Sequence, residues 1–517
     1  MPTLRLTNTL TRETEEVTPA QADADGTPLL RVYGCGPTVY SYAHIGNFRS
    51  FLTTDLLLRT ARALGWKTRY VSNVTDVGHL TGDDLADADG TDKMAKALER
   101  EGARFANIFD LARHYTDALL DDWRALNLLE PDVRPRATEH VTEQIEAVEQ
   151  LVAAGHAYET DDGVYFHVPS FPDYGKLSGN RDAESLATGA AAESREVVTD
   201  DAKRDPRDFA LWKKDPGHLM QWYSPFAEGA AGGRGFPGWH IECSVMARHY
   251  LGDAIDVHTG GEDLIFPHHE CEIAQAESLS GEPFARVWLH TRFLQVEGER
   301  MSKSSGNFFT VRDLVGERGL DPLAVRYALI SGHYRKPFNF TEKNLQDAQK
   351  NRARYVEAAE IVQKALDAEA ENPTEPPPSG TLPLKLELDV AYNDALGAMA
   401  DNLNTPRALA AGLTGVSRIL AFARGYKHFG SQVQHAKSFL DDINALLGIV
   451  YPEDPTDDFA DEDPLAAQVE ALLAERAEVR AAKDWPRADA IRDELDALGV
   501  EVMDSAQGTT WRKKAGA

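Results

Sequence analysis

A strand, a Gly/Pro turn, a helix and a second strand follow one another near the start of the chain. Leu29 to Tyr33 is a short apolar run that ends in a Gly-Cys-Gly-Pro turn. Apolar residues then recur at helical spacing from Phe48 to Leu57, and Thr68 to Ser72 has the composition of another strand. This βαβ order predicts one parallel sheet, which binds ligands outside the carboxyl ends of its strands. Cys35 and Thr75 follow those two strand ends.

Side chains that bind metals are densest between Gly238 and Glu272, which holds two of the three cysteines and five histidines. Three cysteines are too few for a disulfide framework, so they serve as core residues, nucleophiles or metal ligands. Sulfur and imidazole ligands favour zinc. His268 and Glu272 are one helical turn apart and share a face, whereas we expect His269 and Cys271 to point elsewhere. The candidate ligands are Cys35, Cys243, His268 and Glu272.

Two further motifs suit phosphate chemistry. His44-Ile45-Gly46-Asn47 opens the first long helix, where unpaired N–H groups and the helix dipole attract anions and Gly46 permits close approach. Met301-Ser302-Lys303-Ser304 is a hydroxyl-rich loop whose lysine is able to follow charge developing on a phosphate. Taken alone, the first motif is better explained as a helix cap or surface residue, and the second as a solvated loop that caps the following helix.

Together, the two motifs resemble those of class I aminoacyl-tRNA synthetases. Asn47 replaces the second histidine of the first motif and can still donate to a phosphate oxygen. Arg300 replaces the lysine before Met301 and keeps the charge, and Lys303 is present. The stretches Gly-Trp-His-Ile-Glu-Cys-Ser and Phe-Pro-His-His-Glu-Cys-Glu are similar to those of cysteinyl-tRNA synthetases. That similarity extends from Tyr33-Gly-Cys to the terminal Gly-Thr-Thr-Trp-Arg.

The resemblance implies a role for each matching residue. One zinc ion per chain is held by the four candidate ligands, and Cys271 has no ligand role. The implied catalytic residues are His44, Asn47 and Lys303. The implied ATP-binding residues are Pro37, Thr38, His44, Gly46, Asn47, Gly260, Gly261, Asp263, Met301, Ser302, Lys303 and Ser304. Thr75, Trp239 and His258 are implied in substrate binding, and Arg480, Trp485, Asp489 and Asp504 in reading the tRNA anticodon.

The fold class that follows is α/β. A class I Rossmann-type nucleotide-binding catalytic domain with an inserted connective domain precedes an α-helical bundle and a small C-terminal anticodon-binding domain. We predict the catalytic domain at residues 1–345, with the insertion at about 125–235 and the Met-Ser-Lys-Ser loop region at 299–307. Within the insertion, Tyr158 to Val168 has the pattern of a hairpin. The bundle is predicted at 346–450 and the anticodon-recognition domain at 465–517.

The implied activity is cysteine–tRNA ligation, with L-cysteine, ATP as its Mg²⁺ complex and tRNA(Cys) as partners. A hydroxyl is nearly isosteric with a thiol, so a bond from zinc to the substrate thiolate explains selection of cysteine over serine without an editing domain. Two alternatives stay open: a cysteine ligase of the mycothiol type, and a non-catalytic RNA-binding or zinc-stabilised protein. The segment after Leu465 favours tRNA, and the phosphate-handling motifs disfavour a pure binding module.

The charge of the chain is strongly negative, at a formal −29. Read alone, this charge argues against a nucleic-acid partner, although the chain ends in the basic Arg512-Lys513-Lys514. Arg outnumbers Lys, so salt adaptation and an acidic mesophilic protein are equally good explanations of the composition. Without a membrane-length apolar run, a signal-peptide pattern or sustained heptads, we expect a cytoplasmic monomer that does not contact membranes.

Overall fold

The structure is a computed structural model. The residues it describes are 2–78, 92–180, 203–215, 217–227, 233–301, 306–371, 384–426, 429–430 and 432–452, followed by 472–473, 476, 479, 487, 490–491, 494–495, 500–505 and 508–513. They form two compact units, Met1–Pro452 and Glu453–Ala517. Among them, no helix is both long and apolar enough to cross a membrane.

The strands and helices are numbered here in chain order. The described strands are β1 (Arg5–Thr7), β2 (Thr14–Glu16), β3 (Gln21–Ala22), β4 (Pro28–Gly34), β5 (Lys67–Ser72), β6 (Ala157–Glu159), β7 (Gly163–Phe166), β8 (Phe209–Lys213), β9 (Trp222–Tyr223), β10 (Arg234–Pro237), β11 (Ile255–Gly261), β12 (Ala285–Thr291), β13 (Leu294–Val296), β14 (Glu299–Arg300), β15 (Phe338–Phe340), β16 (Val500–Ser505) and β17 (Gly508–Lys513). The described helices are α1 (Ile45–Ala63), α2 (Lys93–Glu101), α3 (Ile108–Ala125), α4 (Val141–Ala153), α5 (Trp239–Leu251), α6 (Glu270–Ser280), α7 (Pro322–Ile330), α8 (Glu342–Glu371), α9 (Leu384–Ala400), α10 (Thr405–Gly425) and α11 (Gln432–Leu447).

A parallel sheet forms the centre of the first unit. Strands β12, β11, β4 and β5 pair in that order, all parallel, and the short β3 adds antiparallel to the start of β4. The predicted βαβ unit is therefore β4–α1–β5. Because side chains alternate across a strand, Val32 faces the core that contains α1, and Tyr33 faces the core that contains α5. Helices thus cover both faces of the sheet. Because the strands are parallel, their carboxyl ends lie together along one side of the sheet, which is called the sheet edge below.

A second, antiparallel sheet lies between β5 and α5 in the chain. Its strands pair in the order β6-β7-β8-β10-β9. The predicted hairpin is present as β6 and β7, in which Tyr158 pairs with Tyr165. Val148 of α4 packs with Phe166 and Trp212 in a core of this region. The sheet falls within the predicted insertion, although the exact domain boundaries stay predictions.

A buried charge cluster joins α1 to the end of the helical bundle. Asp55 accepts hydrogen bonds from the guanidinium groups of Arg59 and Arg326, and all three side chains are almost fully buried. Arg59 also donates to the carbonyl oxygens of Asn444 and Asn127 (3.3 and 2.8 Å). These carbonyl groups lie at or just beyond helix C-termini, where the negative end of the helix dipole helps to balance the second buried cation.

In the second unit, the described strands β16 and β17 form an antiparallel hairpin. Val502 pairs with Trp511, and Asp504 pairs with Thr509.

Candidate active site

The first phosphate motif forms the N-terminus of α1. The Nδ1 atom of His44 accepts from the backbone N–H of Asn47, and the Oδ1 atom of Asn47 accepts from the backbone N–H of His44, both at 3.0 Å. This reciprocal pair caps the helix. Because Nδ1 is an acceptor, the proton of the neutral His44 ring lies on Nε2, which is then a hydrogen-bond donor.

The residues on either side of the second phosphate motif contact the first. The backbone N–H of Ile45 donates to the carbonyl oxygen of Phe309 at 3.0 Å, and the His44 ring packs edge-on against Phe308 at 5.3 Å. A Cβ atom at Gly46 would lie 3.3 Å from the terminal methyl of Met301. Ser302, Lys303 and Ser304 lie outside the described residues. The flanks of the two predicted phosphate motifs are therefore adjacent, as joint action on one nucleotide requires.

Pro37 and Thr38 lie beside the end of β5. The backbone N–H of Thr75 donates to the carbonyl oxygen of Pro37 at 3.2 Å, and Val39 N–H donates to the carbonyl oxygen of Thr75 at 3.1 Å. The Thr75 hydroxyl accepts from the side-chain amide of Asn73 at 3.1 Å. Two predicted ATP-binding residues and one predicted substrate-binding residue are thus joined by backbone pairing.

Gly260, Gly261 and Asp263 lie at the carboxyl end of β11, next to the end of β4. A Cβ atom at Gly260 would lie 2.6 Å from Cε1 of the buried His269, so any larger residue would displace that ring. The predicted nucleotide residues and the candidate metal ligand Cys35 therefore share one edge of the parallel sheet.

The four predicted metal ligands meet at this edge. The sulfurs of Cys35 and Cys243 are 3.8 Å apart, Cys35 Sγ lies 3.5 Å from Glu272 Oε1, and His268 Nε2 lies 3.1 Å from the same oxygen. All four side chains are buried. Tetrahedral zinc, with bonds of about 2.3 Å to sulfur and about 2.1 Å to nitrogen or oxygen, separates two sulfurs by about 3.8 Å and nitrogen from oxygen by about 3.4 Å. The group fits such an ion.

A second possible ligand group shares Cys35 and Glu272 with the first. It adds His258 and His269, with Cys35 Sγ 3.3 Å from His269 Nε2 and His258 Nε2 2.9 Å from Glu272 Oε2. Our expectation that His269 points elsewhere is therefore wrong. Glu272 follows His269 by three residues, and a three-residue spacing also places two side chains on one helical face.

Neighbouring residues hold these ligands in place, and the sequence did not single out His240, His290 and Thr9 among them. His240 Nδ1 lies 2.9 Å from His268 Nδ1, so one of the two rings donates to the other. Trp239, the first residue of α5, stacks on the His268 ring at 4.3 Å. On the other side, His290 Nε2 lies 2.8 Å from His269 Nδ1, and His290 Nδ1 lies 2.8 Å from the hydroxyl of Thr9. Such contacts fix the orientation and tautomer of ligating histidines.

The electrostatics favour anionic ligands at this position. Burial acts to raise the pKa of Glu272, but His258 and His268 hold it well below its usual range. The hydrogen bond donated by Cys35 lowers the pKa of the Cys243 thiol to about 6 against the effect of burial. Burial and the neighbouring Cys243 in turn raise the pKa of Cys35. A carboxylate and a thiolate are the forms that bind divalent metals.

The third cysteine lies apart from the group. Cys271 is buried with its sulfur 3.5 Å from the hydroxyl of Tyr174, and it belongs to neither ligand group. The predicted anticodon residues Arg480, Trp485 and Asp489 lie outside the described residues, and Asp504 is described only as part of β16.

Known protein families and relatives match this chain over most of its length. Residues 24–350 match the family model "tRNA synthetases class I (C) catalytic domain", and residues 462–512 match "Cysteinyl-tRNA ligase anticodon binding domain". A protein of Salinibacter ruber named "Cysteine--tRNA ligase" is 56% identical, and the match covers 99% of this chain and 99% of that protein. A protein of Thermus thermophilus with the same name is 42% identical, covering 93% and 94%.

Solved structures share the fold. Mycobacterium tuberculosis methionyl-tRNA synthetase in complex with methionyl-adenylate matches with a TM-score of 0.58 at 16% identity, covering 83% of this chain and 92% of that one. The LeuRS chain of a ternary complex from Agrobacterium radiobacter matches with a TM-score of 0.59 at 12% identity, covering 84% of this chain and 85% of that one.

The parallel sheet, the capped helix at its edge and the matching catalytic model define a class I aminoacyl-tRNA synthetase, which confirms the predicted fold class. Within that class, the chain belongs to the cysteine–tRNA ligase family.

Proposed function

We propose that the protein attaches L-cysteine to tRNA(Cys) in two steps. In the first step, a carboxylate oxygen of cysteine attacks the α-phosphorus of ATP, the bond to the β-phosphate oxygen breaks, and pyrophosphate leaves. In the second step, a ribose hydroxyl at the 3′ end of the tRNA attacks the carbonyl carbon of cysteinyl-adenylate, and AMP leaves. The observation that carries the proposal is the group Cys35, Cys243, His268 and Glu272, placed at the same sheet edge as the His44–Asn47 helix start.

The chain supplies charge stabilisation and orientation in the first step. His44 offers its Nε2–H, and Asn47 its side-chain amide, toward phosphate oxygens beyond the start of α1. Lys303 stabilises the charge that develops on the phosphates of ATP, which binds as its Mg²⁺ complex. We propose that the remaining nucleotide contacts come from Pro37, Thr38, Gly46, Gly260, Gly261, Asp263, Met301, Ser302 and Ser304.

Selection of the amino acid rests on the metal ligands. We propose that Cys35, Cys243, His268 and Glu272 hold one zinc ion, which would supply a bond to the substrate thiolate that a hydroxyl makes far less well. Shape alone separates such similar side chains by only about 1–3 kcal/mol. Thr75 and Trp239 line the rest of the amino-acid pocket. His258, held by Glu272 at 2.9 Å, borders it from β11.

We also propose that the remaining predicted parts act as the family relationship suggests. The insertion at about 125–235 and the catalytic domain at 1–345 form one body with the bundle at 346–450. The unit at 465–517 reads the anticodon, with contacts from Arg480, Trp485, Asp489 and Asp504. The enzyme is a cytoplasmic monomer.

Two assays in sequence test the proposal. Cysteine-dependent exchange of labelled pyrophosphate into ATP reports the first step, and transfer of labelled cysteine to tRNA(Cys) reports the second. We expect Lys303→Ala to reduce the exchange rate by about 100- to 1000-fold, which is typical for loss of one charge-stabilising donor. Lys343→Ala is the matched control, because the Lys343 side chain is 82% exposed and pairs with Asp347 on its own helix.

The two assays also separate the alternatives. An unchanged exchange rate in the Lys303→Ala enzyme would contradict the assignment of Lys303 as a catalytic residue. Normal exchange without transfer to tRNA would instead indicate a cysteine ligase of the mycothiol type.

A further inference from the structure

A second cluster of metal-ligand side chains lies where α4 meets the end of α5. His140, Glu143 and His249 each place one ligand atom so that the three atoms lie within 4.8 Å of one another. His140 immediately precedes α4, Glu143 is in its first turn, and His249 is in the last turn of α5. None of the three belongs to either ligand group at the sheet edge.

The buried member of the cluster is oriented as a ligand. His140 is only 6% exposed, and its Nε2 lies 3.0 Å from the hydroxyl of Tyr250. Its Nδ1 has no hydrogen-bond partner among the described residues, although such partners are the rule for buried polar atoms. In the tautomer that donates Nε2–H to Tyr250, Nδ1 presents a lone pair to the cluster. A hydrogen bond on the far nitrogen is the usual support of a metal-ligating histidine.

The spacing suits an ion between the side chains better than a direct hydrogen bond. His140 Nδ1 lies 3.5 Å from Glu143 Oε1, beyond the usual 2.7–3.2 Å of an N–H···O bond. Two nitrogen or oxygen ligands of tetrahedral zinc are about 3.4 Å apart. His249 is exposed, so the cluster is open to water on that side.

We propose that His140, Glu143 and His249 bind a borderline divalent cation, zinc or a neighbouring first-row metal, as a second metal site of this protein. Two imidazoles and one carboxylate are the donor set that such ions prefer. The ion joins the start of α4 to the end of α5, the helix whose other end carries Trp239 and Cys243.

The site also reaches the end of β5. Thr138, just before His140, donates to Asp76 through its backbone N–H (3.0 Å) and its hydroxyl (2.7 Å). Asp76 follows Thr75 of the amino-acid pocket. The second ion therefore fixes two segments that border the catalytic site, and its role is structural.

Zinc content of the full-length protein tests the proposal. The metal-free protein is dialysed against buffered zinc at increasing free concentrations, and bound zinc is measured by elemental analysis. We expect about two zinc ions per wild-type chain at saturation, because two separate donor sets are present. Glu143→Gln and His249→Ala should each bind one ion fewer. Glu149→Gln is the matched control on the exposed face of the same helix and should bind as wild type.

Two further measurements distinguish this site from the first. Cys243→Ala should lose the sulfur-bound ion and keep the second, so its remaining zinc should disappear when Glu143→Gln is added. Cobalt(II) bound at the second site should lack the intense sulfur-to-metal absorption of the first, because no thiolate is a ligand there. Glu143→Gln and His249→Ala variants that bind as much zinc as wild type would overturn the proposal, as would a Cys243→Ala protein that binds no zinc.

Discussion

At the scale of single residues, Glu272 connects the two possible ligand groups of the proposed catalytic centre. Its Oε1 lies 3.1 Å from His268 Nε2 and 3.5 Å from Cys35 Sγ, and its Oε2 lies 2.9 Å from His258 Nε2. One buried carboxylate thus faces the metal group with one oxygen and a histidine of β11 with the other. The position of β11 therefore depends directly on the same side chain that completes the metal group.

The contrast between Cys243 and Cys271 gives a prediction at this scale. Both thiols are buried, but only Cys243 is in a ligand group. We expect Cys243→Ala to weaken zinc binding at the catalytic centre by more than about 100-fold, because loss of a ligand exceeds the usual effect of losing a supporting hydrogen bond. Cys271→Ala, the matched control, should retain this zinc. The measurement is zinc retained after dialysis against a chelator of known affinity, and equal retention by the two variants would contradict the ligand assignment.

The sequence predicted the metal-ligand candidates that the fold brings together, but it did not predict the side chains that orient the histidines. Spacing and resemblance led to Cys35, Cys243, His268 and Glu272, because these residues stand in recognisable local patterns. No local pattern leads to Thr9 or His290. His290 contacts His269 because β12 lies beside β11 in the sheet, and Thr9 reaches His290 because the segment between β1 and β2 packs against β12. Spacing alone therefore finds ligands but not the side chains that orient them.

At the scale of secondary-structure elements, the buried cluster of Asp55, Arg59 and Arg326 locks α1, α7 and α11 together. Arg326 donates to Asp55 and to the carbonyl oxygen of Leu447 at the end of α11 (2.8 Å). Since α1 begins at the His44 cap, this cluster helps to fix the helix whose start we propose binds phosphate. The helical spacing of the apolar residues in α1 predicted a helix, but it did not predict the buried ion cluster that connects this helix to its neighbours.

Replacing Arg326 should lower the free energy of unfolding of the protein. Arg326→Met leaves Asp55 with one cation instead of two in a buried site, and breaking such a cluster typically costs about 3–5 kcal/mol. Arg418→Met is the control, because Arg418 is 53% exposed and 3.6 Å from Glu387, where an ion pair contributes at most about 1 kcal/mol. Urea unfolding followed by tryptophan fluorescence compares the two. Equal destabilisation of the two variants would show that the buried cluster is not a main stabiliser.

The cluster of Asp55, Arg59 and Arg326 also predicts how the stability of the fold depends on pH. Burial acts to raise the pKa of Asp55, but Arg326 and Arg59 lower it below its usual value. A carboxyl group with a lowered pKa stabilises the fold above its unfolded pKa of about 4, and this contribution is lost as the pH falls through the folded pKa. Without Arg326 the folded pKa rises. Acid unfolding of Arg326→Met should therefore begin at a higher pH than in wild type, whereas the Arg418→Met midpoint should not move.

At the scale of the whole molecule, the excess of acidic residues dominates the electrostatics. The chain has 83 Asp and Glu against 54 Lys and Arg, so at least 29 carboxylates have no Lys or Arg of their own to pair with. Pairs such as Lys343–Asp347, at 2.6 Å on an exposed helix face, contribute little and weaken with salt. Repulsion among the unpaired carboxylates also weakens with salt, because the screening length falls from about 10 Å at 0.1 M to about 3 Å at 1 M.

Because the net charge is −29, relief of repulsion should outweigh the loss of surface ion pairs. We therefore expect the thermal unfolding midpoint to rise by several degrees between 0.1 M and 1 M KCl and then to level off. A stabilisation of about 1 kcal/mol shifts the midpoint by about 2–4 °C in a domain of roughly 150–250 residues and by less in a longer chain, so this rise corresponds to several kcal/mol. Sucrose at matched osmolarity is the control, because it favours compact states without screening charge. A protein that is fully folded in dilute buffer and gains no more from KCl than from sucrose would contradict salt adaptation and favour an ordinary acidic enzyme.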